Sequence, residues 1–129
     1  MSEQRIRVML VDDHPIVREG MRGMLASAAD VQVVGEAADG ASAITVAAEL
    51  QPDVVLMDLR MPGMDGADAT AAITAADPAV KVLIVTTYDT DGDILRAVEA
   101  GAAGYVLKDT PIAELVQAIR AAARGETVL

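Results

Sequence analysis

Apolar residues along the chain fall into two alternating kinds of run. Short aliphatic stretches, Ile6 to Val11, Val31 to Val34, Val54 to Met57, Val82 to Val85 and Tyr105 to Leu107, are each followed by a longer segment with apolar positions at helical spacing. After the first stretch, Pro15 sits where the first turn of a helix accepts it, and Val17, Met21, Met24 and Leu25 mark one face. Further helices are expected over about Ala41 to Leu50, Ala67 to Ala76 and Gly92 to Ala100. The last helix is expected to take Thr110 as its cap and Pro111 at its first position, with Ile112, Leu115, Val116 and Ile119 on the i, i+3, i+4, i+7 stripe. The third and fourth short stretches are continuously apolar, as strands covered on both faces are. The pattern therefore predicts five βα units and a parallel sheet with helices on both sides.

Right-handed crossovers leave few ways to wind five such units. The order 2-1-3-4-5, which buries the first strand in the middle, makes the expected fold class α/β, a flavodoxin-like (βα)5 three-layer sandwich. Ligands of such sheets bind beyond the carboxyl ends of the strands, in the crevice between the first and third strands where the winding reverses. No solenoid-type repeat interrupts the pattern, and its one compositional bias, toward Ala, favours helix rather than disorder. Residues 1–129 read as one domain without an internal linker.

Composition narrows the function. The 129 residues are 53% hydrophobic and 23% charged, enough for one packed core. A formal charge of −10 argues against a sequence-independent grip on nucleic-acid phosphates, so no direct nucleic-acid binding by this chain is expected. The absence of Cys excludes disulfides and thiolate metal sites and fits a cytoplasmic location. No apolar stretch approaches the ~20 residues that span a bilayer, so no membrane partner is expected. Tyr88 and Tyr105 are the sole aromatics, which leaves little material for stacking a flavin or a base.

The chemistry gathers at strand ends. The first strand ends in Asp12-Asp13 and the third in Asp58, so the expected topology brings three carboxylates to one crevice. Two negative charges ~5 Å apart repel by roughly 3 kcal/mol at an effective dielectric of ~20, so the cluster must protonate, spread or recruit a cation. Mg²⁺ suits a half-open oxygen site of this kind and is commonly shared with a phosphate oxygen. The fourth strand ends in Thr86 and the fifth in Lys108, adding a hydroxyl and an ammonium to the same edge. An aspartate can attack phosphorus to form an acyl phosphate, a transfer that needs mainly positioning and charge neutralisation.

These residues carry a resemblance. Val11-Asp12-Asp13-His14-Pro15, the segment Met57 to Gly66 (MDLRMPGMDG), Val85-Thr86-Thr87 and Gly104 to Asp109 (GYVLKD) together resemble a response-regulator receiver domain of two-component systems. The opening segment and GYVLKD resemble the NarL/FixJ subfamily, with its LuxR-type helix-turn-helix output. The resemblance implies that Asp58 is the phosphoacceptor, and that Asp12 and Asp13, with the main-chain carbonyl of Arg60, hold Mg²⁺ beside it. It further implies that Lys108 contacts the phosphoryl group and that Thr86 and Tyr105 form a switch pair. A sensor histidine kinase is the implied donor, and a DNA-binding output domain in cis, absent from this chain, the implied target. The chain stops three residues after Arg124-Gly125-Glu126, where such proteins continue into a linker, so a fragment is expected. Dimerisation through helix surfaces is compatible with this picture.

Several positions vary from the receiver pattern or read more plainly. Asp109 stands where many receivers have a proline after the lysine, which leaves the geometry of the Lys108-Asp109 bond open. The resemblance sets Arg60 and Tyr88 beside the path of an attacking water, where their bulk would slow loss of the phosphoryl group. His14 reads as a surface residue at a helix start, since a lone histidine does not make a multi-histidine site. The glycines between Met61 and Gly66 are expected to allow positive φ before the third helix, and Gly101 with Gly104 to bracket the end of the fourth helix and the entry to the fifth strand. A haloacid-dehalogenase-type phosphatase lacks support because its D-x-D motif is missing. A flavodoxin-like cofactor domain would need a Ser/Thr/Gly-rich phosphate loop where Asp12-Asp13-His14-Pro15 stands. A receiver fold that signals without phosphate is disfavoured by the intact acidic set.

Overall fold

The structure is a computed structural model and describes residues 5–87 and 91–128. Strands β1 (Ile6–Val11), β2 (Val31–Ala37), β3 (Val54–Met57), β4 (Lys81–Thr86) and β5 (Gly104–Leu107) alternate with helices α1 (Pro15–Leu25), α2 (Gly40–Leu50), α3 (Gly66–Ala76), α4 (Asp91–Glu99) and α5 (Ile112–Ala123). The strands are parallel in the order β2-β1-β3-β4-β5. The flavodoxin-like three-layer arrangement is therefore present as expected.

Alternation along the strands sorts the core into two layers. Met9, Val11, Val55, Met57, Val82 and Ile84 point to α2, α3 and α4, while Val8, Leu10, Val54, Leu56, Leu83 and Val85 point to α1 and α5. On the first side the fully buried apolar helix residues are Ala except for Ile73, with Ile44 and Val46 of α2 packed against them half-buried. On the second side Leu25, Leu115 and Ile119 supply larger groups. All four residues of β3 are buried, as its unbroken apolar run requires.

Three local expectations are corrected. Strand β2 continues past Val34 to Ala37 because β1 offers partners up to Val11↔Ala37, after a register shift between Val8 and Met9 that leaves Val34 unmatched. A side chain at Gly35 would meet the Cδ1 of Leu50, so the glycine lets α2 pack there. Thr110 does not cap α5: Pro111 is the capping residue, with ψ of 146° and no side-chain cap, and Thr110 instead donates its N–H to the Leu107 carbonyl. Because Pro111 is itself extended, helical dihedrals begin only at Ile112, which moves the cap one residue on from Thr110. Finally, Gly63 has the expected positive φ (77°), but Gly66 does not; its missing Cβ is required by the backbone of Asp58 and Leu59 lying directly against it. Gly101 (φ 97°) ends α4 and Gly104 opens β5, both as expected, the latter pressed against Val128. The described chain has no cis peptide, so the Lys108-Asp109 bond is trans.

Candidate functional site

The ends of β1 and β3 are locked side by side. The Asp58 N–H donates to the Val11 carbonyl (2.9 Å) and the Asp12 N–H to the Ala37 carbonyl (3.2 Å), so both aspartates leave the sheet at the same level. Asp12 and Asp58 are 2% and 5% exposed, while Asp13 stands at the rim, half-buried. Carboxylate oxygens of Asp12, Asp13 and Asp58 and a ring nitrogen of His14 all lie within 4.8 Å of one another. The three carboxylates expected from strand ends are thus gathered in one pocket.

Lys108 closes that pocket from β5. Its main-chain N–H donates to the Thr86 carbonyl (2.8 Å), extending the β4 to β5 pairing by one residue and aiming the side chain back over the sheet edge. The ammonium is 2.8 Å from Asp12 Oδ2 and 3.4 Å from Asp58 Oδ1. Burial pushes the Asp58 carboxyl above its ordinary value; the Lys108 charge opposes that, and the charges of Asp12 and Asp13 add to it. Burial acts on Asp12 in the same sense, but hydrogen bonds from Lys108 and from the His14 N–H outweigh it, and its carboxyl lies below the usual value. For Lys108 burial works against the charge, yet the two aspartates leave the ammonium harder to deprotonate than usual.

His14 belongs to the pocket more than its exposed position suggested. It precedes α1 without making a side-chain cap, its N–H donates to Asp12 Oδ1 (2.8 Å), and its Nδ1 lies 3.0 Å from the same oxygen. The Nδ1 is also 3.2 Å from Asp13 Oδ1, although that buried oxygen accepts no hydrogen bond among the described residues. Adjacency to Asp13 was the available signal; the direction of the ring was not.

Thr86 is completely buried at the end of β4. Tyr105 lies in register with Ile84, half-buried and packed on the layer formed with α2, α3 and α4. By strand alternation Thr86 and Tyr105 share that face. The guanidinium of Arg60, two residues beyond Asp58, is turned to Asp93 on α4, at 3.1 Å from Oδ2. Asp93 was not singled out by the sequence, because its partner comes from a loop 33 residues away. Tyr88 lies outside the described residues.

Fold and site together define a class: a doubly wound parallel α/β domain whose ligand crevice is acidic and bridged by a lysine, not a phosphate-cradling loop. Similarity to known proteins resolves that class to a family. A sequence model of the response regulator receiver domain matches residues 8–120. The transcriptional regulatory protein YxjL of Bacillus subtilis (strain 168) is 48% identical over 128 residues, covering 99% of this chain and 59% of that protein. The transcriptional regulatory protein LiaR of the same organism is 45% identical over 124 residues, covering 96% and 59%. The solved structure of a LuxR-family two-component response regulator from Aurantimonas sp. SI85-9A1 superposes with a TM-score of 0.92 at 46% identity, covering 98% of this chain and 90% of that one. The chain belongs to the response regulator receiver family and is the receiver domain of a two-component response regulator. It spans 59% of the length of the curated relatives it matches. Among the described residues no helix is long and apolar enough to cross a membrane.

Proposed function

We propose that Asp58 accepts a phosphoryl group from a phosphohistidine of a sensor kinase, and that the resulting charge switches the surface through Thr86 and Tyr105. The observation that carries this reading is the placement of Asp58 between two further carboxylates and the ammonium of Lys108. In the transfer a carboxylate oxygen of Asp58 bonds to phosphorus as the phosphorus–nitrogen bond breaks, and the imidazole leaves with a proton. Lys108 is placed to meet the equatorial phosphoryl oxygens, for which it must turn from Asp12. The Thr86 hydroxyl gains a hydrogen bond by moving toward the modified side chain, and the space it vacates admits the Tyr105 ring.

The donor set fits Mg²⁺. Its oxygen donors are the carboxylates of Asp12, Asp13 and Asp58, with His14 beside them, and the buried Asp13 Oδ1, which accepts no hydrogen bond among the described residues, favours a cation partner. In our reading these residues and the Arg60 main-chain carbonyl hold the ion, which supplies neutralising positive charge. The chain is then a signalling domain whose only catalysis is its own phosphorylation and autodephosphorylation. In the whole protein we place a C-terminal helix-turn-helix output domain after residues 1–129, acting in transcription control, and a cytoplasmic location; a homodimer is compatible with both. The names of YxjL and LiaR as transcriptional regulators and the share of their length left unmatched support this.

Incubation with a small phosphodonor and Mg²⁺, followed by intact-mass measurement, tests the reading. The native chain gains one phosphoryl group and Asp58→Asn gains none; equal gain by both would overturn the assignment of Asp58.

A further inference from the structure

A register shift in the edge strand sets up a contact behind the acidic pocket. Between Val8 and Met9 the pairing of β1 with β2 slips by one residue, so that Leu10 pairs with Glu36 instead of Gly35. Leu10 points toward α1 and α5, and Glu36 is thereby carried to the same side. Arg18 and Arg22, one turn apart on α1, both meet it there: Arg18 Nε donates to Glu36 Oε1 at 3.0 Å and Arg22 Nε to Oε2 at 2.8 Å. Arg18 reaches further, donating from Nη1 to the main-chain carbonyl of Asp12.

That carbonyl belongs to the peptide unit joining Asp12 to Asp13. The unit is planar, so holding its oxygen fixes the direction in which the Asp13 main chain, and with it the side chain, leaves the strand. The two carboxylates are held in different ways. Asp12 is fixed through its own side chain, by Lys108 at 2.8 Å and by the His14 N–H at 2.8 Å. Asp13 Oδ1 is buried yet accepts no hydrogen bond among the described residues, and the His14 ring beside it is mostly exposed, so its place in the cluster is set through the main chain. Arg18, with 17% of its side chain exposed and its guanidinium oriented by Glu36, grips that main chain.

We propose that Arg18 is a positioning residue for the metal site: clamped by Glu36, it holds the Asp12-Asp13 peptide so that the Asp13 carboxylate faces the pocket. The proposal rests on the reading of the acidic cluster as a Mg²⁺ site. Groups that orient a ligand without touching the ion change metal affinity about 10- to 100-fold when removed. Charge alone acts in the opposite direction. Taking a cation away from beside a cation site strengthens binding of the ion, whereas taking away the grip on Asp13 weakens it. The sign of the change therefore separates positioning from simple electrostatics. Arg22 supplies the comparison, since it shares Glu36 with Arg18 but makes no bond to Asp12.

Titration of the whole chain with Mg²⁺ alone, followed by amide NMR shifts around the pocket, tests the proposal, with the urea midpoint of each variant measured beside it. Arg18→Met binds Mg²⁺ about tenfold more weakly than the native chain, while Arg22→Met stays within about twofold of native, although both variants take a partner from Glu36 and lower the urea midpoint. Arg18→Lys keeps a charge beside Glu36, but its ammonium ends one bond short of the Nη1 position. It binds Mg²⁺ as weakly as Arg18→Met with a urea midpoint nearer native, and it carries the test if Arg18→Met does not fold. An Arg18→Met affinity within about twofold of native, or tighter than native, overturns the positioning role. Equal weakening in Arg22→Met also overturns it, by tracing the effect to a loosened edge strand. A native chain with no saturable Mg²⁺ shift refutes the metal-site reading, and the role of Arg18 falls with it. Native and Arg18→Met chains that both bind Mg²⁺ equally well refute the role of Arg18 alone.

Discussion

Lys108 donates its shorter ionic contact to Asp12, at 2.8 Å, and stands farther from Asp58, at 3.4 Å. One ammonium thereby offsets the mutual repulsion of two nearly buried carboxylates, which would otherwise favour protonation of one more strongly. Lys108→Met leaves both carboxylates in place and takes away the charge between them. Two effects are expected: phosphoryl uptake from a small donor falls about a hundredfold, since a positioned charge near phosphorus is removed. Stability without Mg²⁺ falls by about 1 to 3 kcal/mol from the unpaired buried acceptors. Uptake kinetics by intact mass and urea titration measure the two separately. Uptake within threefold of native would remove Lys108 from the site chemistry.

Gly66 is set by contact, not by dihedral freedom. A methyl group there would strike the Asp58 carbonyl and crowd the Leu59 Cα, in a segment further bound by the Gly66 N–H donating to the Leu59 carbonyl at 2.7 Å. Gly66→Ala is expected to destabilise by about 1 to 3 kcal/mol through overpacking and to slow phosphoryl uptake by moving the Asp58 backbone. Gly23→Ala in α1 is the control: nothing lies within 4 Å of its added methyl, and a helical alanine replaces a glycine, so stability rises by about 0.5 to 1 kcal/mol. Thermal or urea unfolding of both variants reads the opposite signs.

How much of this was legible in the sequence follows from what each feature depends on. The strand ends Val11, Met57, Thr86 and Leu107 could be found from local apolar runs, and chain-winding rules then placed Asp12, Asp13, Asp58 and Lys108 at one edge. Features set by neighbours distant in the chain could not be found that way. The extension of β2 to Ala37 depends on β1, the small residue at Gly66 depends on where the Asp58 backbone passes, and the Arg60 to Asp93 pair depends on how α4 is laid down. His14 illustrates the middle case: its position beside the acidic pair was plain, but not that its ring turns inward onto Asp12.

Glu36 on the edge strand accepts hydrogen bonds from Arg22 and from Arg18 Nε, the latter at 3.0 Å, and Arg18 also donates to the Asp12 carbonyl. The Arg22 hydrogen bond leads in holding the Glu36 carboxyl below its ordinary 4.5; burial opposes it and Arg18 adds to it. A depressed folded value means that the contribution is fully present above the unfolded value of 4.5 and is lost as pH falls through the lower, folded one. Glu36→Gln is expected to lower stability by about 0.5 to 1 kcal/mol at pH 7, with the gap from native closing as pH falls below 4.5. Urea midpoints across that range test it; a pH-independent gap would assign the effect to shape and not to charge.

Thr86 and Tyr105 share a face of the sheet, one completely buried and the other half-buried, so a displacement of the first changes the space available to the second. Thr86→Val keeps the branched shape and removes the hydroxyl, the one group on that side chain able to follow a phosphoryl oxygen. Tyr105 and Tyr88 are the only aromatic residues, and no Trp masks them, so near-ultraviolet circular dichroism follows the tyrosine environment directly. The native chain is expected to change its tyrosine signal on phosphorylation, and Thr86→Val to show at most a third of that change per phosphorylated molecule, counted by intact mass. Comparison per modified molecule separates loss of the response from slower uptake. A full-sized change in the variant would mean that the ring moves without the hydroxyl, and would remove Thr86 from the switch.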